Sequence, residues 1–325
     1  MLPLKNSLIK VSLFAGMVLL FSLSLHYFLD AQMKHLKNED AGVWNQISQG
    51  GIDADVVVMG SSRAATHIDP AHISETAHKS CFNLGMMGHN FYIENARYYY
   101  YLQHNRAPQI IILSLDYESL QRRSDLFNHT QFLAYLDDPI IARATKAYNG
   151  FSRYDYIIPL LKYVGERTLI FSLVHNYFSP ERNKPDRVNG FFARDLKWNA
   201  EVDSVLDTLQ AYSVVPDSLS LAAFESFLHD TKAKNIQVVF VHSPTHLLGQ
   251  QKVVNRKEII ALYQKYALQF SIPFFDYAAD SMCSQKAYFL NATHLNKNGA
   301  ELFTRKLTID MQREGILPLL DTTKK

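Results

Sequence analysis

A serine just past a glycine near the start of the chain and a histidine just ahead of its last helix are residue types suited to acyl chemistry on a hydroxyl. Ser62 stands in Val58-Met59-Gly60-Ser61-Ser62-Arg63, and His294 in Asn291-Ala292-Thr293-His294-Leu295-Asn296, followed by Lys297-Asn298-Gly299. A serine hydroxyl is a poor nucleophile until an imidazole takes its proton, and the fold can join the two across any distance in sequence. Gly60 permits a tight turn, which would put Ser62 at the carboxyl edge of a strand and near a helix start, where backbone N–H groups can stabilise an oxyanion. A second turn, Asn83-Leu84-Gly85-Met86-Met87-Gly88-His89-Asn90, lets the backbone approach a ligand closely. The Gly88 N–H is the expected oxyanion donor beside Ser62, with the Asn90 side chain as a supplement. His294, with Asn291 three residues before it, is then the candidate general base. Each block alone also reads as a cap, a turn or a structural histidine; their coincidence on strand-end loops carries the joint reading.

The elements that must hold these blocks alternate between two periodicities. Ala54–Met59, Cys81–Leu84, Gln109–Leu115, Ile236–His242 and Ile272–Asp276 are short apolar or β-branched runs, as expected of strands buried on both faces. Asn90–His104, Asp217–Ala233, Arg256–Phe270 and Asn298–Arg313 carry helical spacing. Alternation of this kind implies right-handed crossovers and a parallel sheet covered on both faces. The expected fold is a three-layer α/β/α, flavodoxin-like sandwich of about five parallel strands, with its site at the strands' carboxyl ends.

Around this core the chain divides unevenly. Val11–Leu29 is almost free of charge and close to the roughly 20 residues that cross a bilayer as a helix, so residues 1–30 are expected to be a cytoplasmic tip and a transmembrane anchor. No clean small-x-small cleavage site follows, which favours an anchor over a removed signal. Lys5, Lys10 and the terminal amine before the run against Lys34 and Lys37 after it give only a slight bias toward an inside N-terminus. Residues 31–53 are polar and read as a stalk, 54–315 as the main domain and 316–325 as a tail. Residues 119–216 are too long for a simple crossover and rich in aromatics, so they read as a helical insertion, either extra core or a lid over the strand ends.

Composition narrows the function classes. A net charge of +2 without a basic–aromatic cluster gives nucleic-acid binding no support. The two cysteines, Cys81 and Cys283, cannot form a disulfide scaffold, and two buried thiols are a commoner outcome than a bridge. His67, His72, His78 and His89 lack the paired spacing of a zinc helix, so no metal is expected, and no motif asks for a cofactor.

The order and wording of the three blocks resemble the SGNH/GDSL hydrolase superfamily. The likeness is to its membrane-anchored members with a Gly-Ser-Ser turn and a terminal Asp-x-x-His-Leu-Asn motif, a group that includes relatives of alginate O-acetyltransferases and of the D-alanyl-transfer protein of teichoic-acid synthesis. It covers residues 54–116 and 236–310. What it implies is ester hydrolysis or acyl transfer on a carbohydrate or cell-envelope polymer, with Ser62 as nucleophile, His294 as base and Gly88 as oxyanion donor. Two departures stand out. Asn291 occupies the place of the family's aspartate, and an amide cannot offset the charge of an imidazolium. The family's Gly-x-Asn-Asp loop is replaced by Ser114-Leu115-Asp116-Tyr117-Glu118, where Asp116 reads as a capping or salt-bridged carboxylate. Asp276 or Asp280 could supply a carboxylate from the preceding segment.

The expectation is therefore a membrane-anchored, extracytoplasmic esterase or O-acyltransferase acting on an acylated glycan or cell-wall polymer, with a membrane-bound O-acyltransferase as a possible partner. The rival is a catalytically weakened domain of the same type that binds a glycan or assembles with such a partner, and Asn291 keeps that rival in play.

Overall fold

Val56-Val57-Val58-Met59 is apolar at every position, and all four residues are buried as strand β1 (Val56–Met59). Four more short strands follow: β2 (Cys81–Asn83), β3 (Ile110–Ser114), β4 (Gln237–His242) and β5 (Phe274–Asp276). They form one parallel sheet in the order β2-β1-β3-β4-β5. The computed structural model describes residues 2–319. Its α-helices are α1 (Leu2–Met33), α2 (Glu39–Gln49), α3 (Ser62–His67), α4 (Pro70–Ala77), α5 (Phe91–His104), α6 (Pro139–Thr145), α7 (Arg167–Phe178), α8 (Ala200–Thr208), α9 (Ser218–Ala233), α10 (Leu247–Gln250), α11 (Arg256–Phe270) and α12 (Lys297–Arg313).

These elements belong to two compact units, Met1–Asn45 with Asn128–Pro185, and Gln46–Phe127 with Asp186–Lys325. The second unit holds the sheet and is the expected three-layer α/β sandwich. Alternate strand residues enter different layers, as the pleat requires. Val56, Val58, Ile110, Ile112, Val239 and Val241 share a cluster with Phe303, Leu307 and Met311 of α12. On the other face Phe240 meets Phe224 of α9, which in turn packs on Phe91 of α5 and Tyr266 of α11. The switch from outward (β1 to β2) to inward (β1 to β3) neighbours makes β1 and β3 the topological switch point, where ligands gather in open α/β sheets.

The first unit is helical. Helix α1 contains a 28-residue stretch, Asn6–Met33, long and apolar enough to cross a membrane. Its last turns are built into the unit, with Leu29 and Met33 buried and Asp30 accepting from Lys162 at 2.9 Å. Of residues 31–53, expected as a polar stalk, 31–33 instead end α1 and 39–49 form α2. Trp44 there is fully buried against Phe132 and Tyr135 and donates its indole N–H to Gln131 at 3.0 Å. Asn45 ties the α1–α2 turn by donating to the Met33 and Leu36 carbonyls. The polar residues around Val43, Trp44 and Ile47 hid a short apolar stripe.

The boundaries drawn around the insertion and tail also shift. Residues 119–216 do not act as one insertion: 128–185 join the helical unit, and 119–127 and 186–216 join the sheet unit. At the other end Ile316 and Leu317 are buried in the sheet unit's core, because Gly315 at φ +69° turns the chain back after α12. Those two residues are core, not tail; residues 320–325 lie outside the described residues.

Candidate active site

The Gly60-Ser61-Ser62 turn is fixed by β1 and by what its end touches. Gly60 has φ +138°, and a Cβ there would lie 2.6 Å from the Ser114 carbonyl oxygen of the neighbouring strand, so only glycine fits. Ser61 then caps α3, its hydroxyl accepting from the Arg63 N–H at 3.2 Å while donating to the Asp116 carboxylate. Ser62 opens the helix, and its Oγ lies 2.7 Å from His294 Nε2. The two residues, 232 positions apart in the chain, are in hydrogen-bond contact.

The base loop is held as tightly. Asn291 Oδ1 accepts from the backbone N–H groups of Thr293 and His294, at 3.0 and 2.9 Å, and lies 3.1 Å from His294 Nδ1. Two backbone donors fix which amide atom is the oxygen, so the Nδ1–H of a neutral imidazole points at Asn291 and Nε2 is free to accept from Ser62. Thr293 Oγ1 stands 3.1 Å from the same Nδ1. After the histidine, Leu295 is buried and Asn296 caps α12 by accepting from Gly299 N–H at 3.0 Å. The run Asn-x-x-His-Leu-Asn thus orients the imidazole, presents it to Ser62, anchors the loop and caps α12 in turn.

His67 joins the two loops. It ends the helix that Ser62 begins, is fully buried, and accepts the Leu295 N–H on Nε2 at 2.9 Å. Its Nδ1 therefore carries the proton and donates to Ser243 Oγ at 2.9 Å. Burial first, then the positive Arg63, holds His67 well below the ordinary imidazole value, so it stays neutral.

Asp116 closes the other side. It follows β3 and receives the Ser61 hydroxyl, and it pairs with Arg63 at 3.2 Å, both side chains being almost wholly buried. Arg63 also donates to the Ser243 carbonyl. The carboxylate is salt-bridged, as its sequence context suggests, but it also locks the Gly60-Ser61-Ser62 turn to the end of β3. Next to it Glu118 accepts from Tyr212, and burial raises its carboxyl.

Ser62, Gly88, Asp116, Glu118, Arg123 and His294 share the wall of a cleft of about 280 Å³. Gly88 stands at φ +68°, and a Cβ there would strike the Phe127 ring at 2.5 Å. Asn90 is not brought into the cleft. Its amide donates to the Gln121 carbonyl at 2.9 Å and to Ser220 Oγ at 3.3 Å, so it ties α5 to α9 and cannot reach an oxyanion beside Ser62. Neither Asp276 nor Asp280 serves the histidine: Asp276 accepts from Ala278 N–H, and Asp280 caps a short turn and pairs with Lys306. Cys81 and Cys283 are separate buried thiols.

The electrostatics of the pair follow from these neighbours. Burial, and then the positive charges of Arg63 and Arg194, lower His294 to about 4. The imidazole is therefore a neutral acceptor at pH 7, and the imidazolium formed on taking a proton has an amide beside it instead of a carboxylate. Sequence reasoning missed His67, Ser243 and the part Asp116 plays, because each acts on a partner far away in the chain and carries no local motif.

No protein-family model and no curated protein matches the chain. Solved structures to which it is similar include a protein described as an acylhydrolase from Bacteroides fragilis, 14% identical over 84% of this chain and 93% of that chain, with a TM-score of 0.39. A protein described as lipolytic and of the G-D-S-L family, from Desulfitobacterium hafniense, is 10% identical over 78% of this chain and 97% of its own, with a TM-score of 0.40. A GDSL-like lipase from Bacteroides thetaiotaomicron is 11% identical over 80% of this chain and 88% of its own, with a TM-score of 0.35.

Proposed function

We propose that the chain is a membrane-anchored, extracytoplasmic serine esterase or O-acyltransferase of SGNH type that acts on a cell-envelope glycan. The observation that carries this is the 2.7 Å contact between Ser62 Oγ and His294 Nε2 at the carboxyl end of β1. In the first half-reaction Oγ bonds to the ester carbonyl carbon as its proton passes to Nε2. The ester C–O bond then breaks, and Nε2 returns the proton to the departing alkoxide. In the second, water or a sugar hydroxyl attacks the acyl-serine, Nε2 takes its proton, and Oγ leaves with a proton restored. The Ser62 and Gly88 N–H groups are the donors proposed for the oxyanion.

The anchor in this proposal rests on α1. Its apolar stretch continues into turns whose residues Leu29, Asp30 and Met33 pack within the helical unit, as expected of a retained segment and not of one removed after targeting. Orientation follows the slight bias of the positive groups that flank the span.

A second reading is favoured by one observation, the amide at 3.1 Å from His294 Nδ1 beside two positive charges. It makes the domain a glycan-binding or assembly subunit of a membrane O-acyltransferase. A fluorophosphonate probe separates the two. Covalent labelling of wild type that is lost in Ser62→Ala, with turnover of acetyl esters, supports the enzyme. Equal background hydrolysis by wild type and Ser62→Ala, with no labelling, leaves the binding subunit.

A further inference from the structure

We infer that residues 154–178 of the helical unit form a membrane-interface surface that lies in the lipid headgroup layer beside the anchor. The inference rests on the proposed anchor and is independent of the esterase chemistry.

The first argument is where this segment attaches. Leu160 N–H donates to His26 Nδ1 at 3.2 Å, Lys162 reaches Asp30 at 2.9 Å, and the Tyr177 ring meets Phe28 edge-on at 5.3 Å. All three partners on α1 fall within residues 26–30, at the end of the uncharged run Val11–Leu29. A helix rising about 1.5 Å per residue crosses the hydrocarbon core in about 20 residues, so this is the point at which the chain leaves the bilayer.

The second argument is what the segment leaves outside. Ile157, Val164, Phe171 and Phe178 are 77%, 73%, 72% and 77% exposed, and Tyr154, Ile158 and Tyr177 are also open. Within α7 only Leu173 is buried, while Phe171, Tyr177 and Phe178 are exposed. Isolated apolar side chains on a surface need no explanation, but seven within 25 consecutive residues are too many for a face that meets only water.

The third argument is composition. Tyrosines and basic residues accompany the apolar ones: Lys146 lies 4.8 Å from the Tyr156 ring centre, and Arg153 lies 4.7 Å from that of Tyr154. Arg167 opens α7, and Arg182 follows it. Of the nearby acids Glu166 is occupied by His129 at 3.1 Å, and Asp155 accepts from the Ser152 N–H. Aromatic rings with basic side chains are what the headgroup boundary selects, and such a face enters it by about 5–10 Å.

The test places single tryptophans in the full-length chain reconstituted into vesicles of phosphatidylcholine and phosphatidylglycerol, with and without brominated acyl chains. Wild-type emission is subtracted. Phe171→Trp and Phe178→Trp should each give blue-shifted emission that brominated lipid quenches. Leu13→Trp, within the apolar run, should be quenched more strongly, and Leu268→Trp, 82% exposed on α11, should be unaffected. Loss of quenching at Leu13→Trp would remove the anchor, and this surface with it. Quenching at Leu13→Trp but at neither phenylalanine position would overturn the interface alone. Tryptophans shielded from aqueous acrylamide yet untouched by bromine would assign the face to a protein contact and overturn the lipid proposal.

Discussion

The two units of this chain treat burial in opposite ways. The sheet unit takes ionisable groups inside: the Arg63–Asp116 ion pair and the neutral His67 and His242 are buried around the ends of the strands, and Glu94 is buried on α5 with its carboxyl raised well above the ordinary value, first by burial and then by Asp116. The helical unit keeps its own ion pair, Asp30 with Lys162, but turns large apolar side chains outward along 154–178. Desolvated charge is costly unless it is paired or neutralised, so its concentration at one strand-end edge marks a site under chemical demand. Exposed aromatic surface is unfavourable in water, so its concentration in the other unit indicates that its solvent is not water alone.

That comparison can be sharpened first at the reacting pair. Every bond made to Asn291 by its own loop goes to Oδ1, so an aspartate fits the same contacts and adds the missing charge. Asn291→Asp should raise ester turnover by up to about 10³–10⁴, the contribution of such a carboxylate in a serine protease. Steady-state kinetics on acetyl esters check it, and unchanged or lower turnover would mean that the imidazolium is not the limiting charge.

Next come the buried charges themselves. Arg63→Ala leaves Asp116 without its ion pair and should cost about 3–5 kcal/mol of stability, as breaking buried pairs does. Phe303→Ala, in the core beneath the same sheet, should cost a similar ~3–5 kcal/mol. Urea unfolding of the detergent-solubilised chain measures both. A loss under about 1 kcal/mol for Arg63→Ala would show that the sheet unit tolerates free charge at its edge.

Acid should then expose the neutral histidines. Burial lowers His242 to about 3 and His294 to about 4, whereas the unfolded chain protonates near 6.5. Between those values the unfolded state binds protons that the folded state refuses, so stability is complete above about 6.5 and falls as pH drops. The slope is about 1.4 kcal/mol per pH unit for each such histidine. A melting temperature that is flat from pH 7 down to 5 would contradict neutral burial.

The smallest effect belongs to the helical unit. Phe171→Ser removes an exposed ring and should change stability in detergent by less than about 0.5 kcal/mol, in contrast to Phe303→Ala. A loss near 2 kcal/mol would mean that Phe171 is core, and the contrast between the units would fail.

The strands were legible because a sheet buried on both faces leaves no polar position: β1, β3 and β4 stand out as apolar runs, and their ends agree with the structure to within two residues. The meeting of Ser62 and His294 was legible for a related reason. Gly60 before Ser61-Ser62 and Asn296 after His294-Leu295 mark a strand end and a helix start, where reactive groups sit, and those signals are local. The helical unit was not, since α2 hides Trp44 among polar residues and two partners of Asp30, Lys162 and Tyr163, lie 132 and 133 positions away. What sequence alone determined was therefore the sheet, the two side chains that meet at its edge and the apolar helix, each written in consecutive residues. What tertiary structure decided was which groups hold the pair. Asn90 was drawn off to Gln121 and Ser220, while Asp116 and His67 were brought to the nucleophile turn and the base loop. Hydrogen bonds of this reach depend on strand order and register, which no single stretch of sequence encodes.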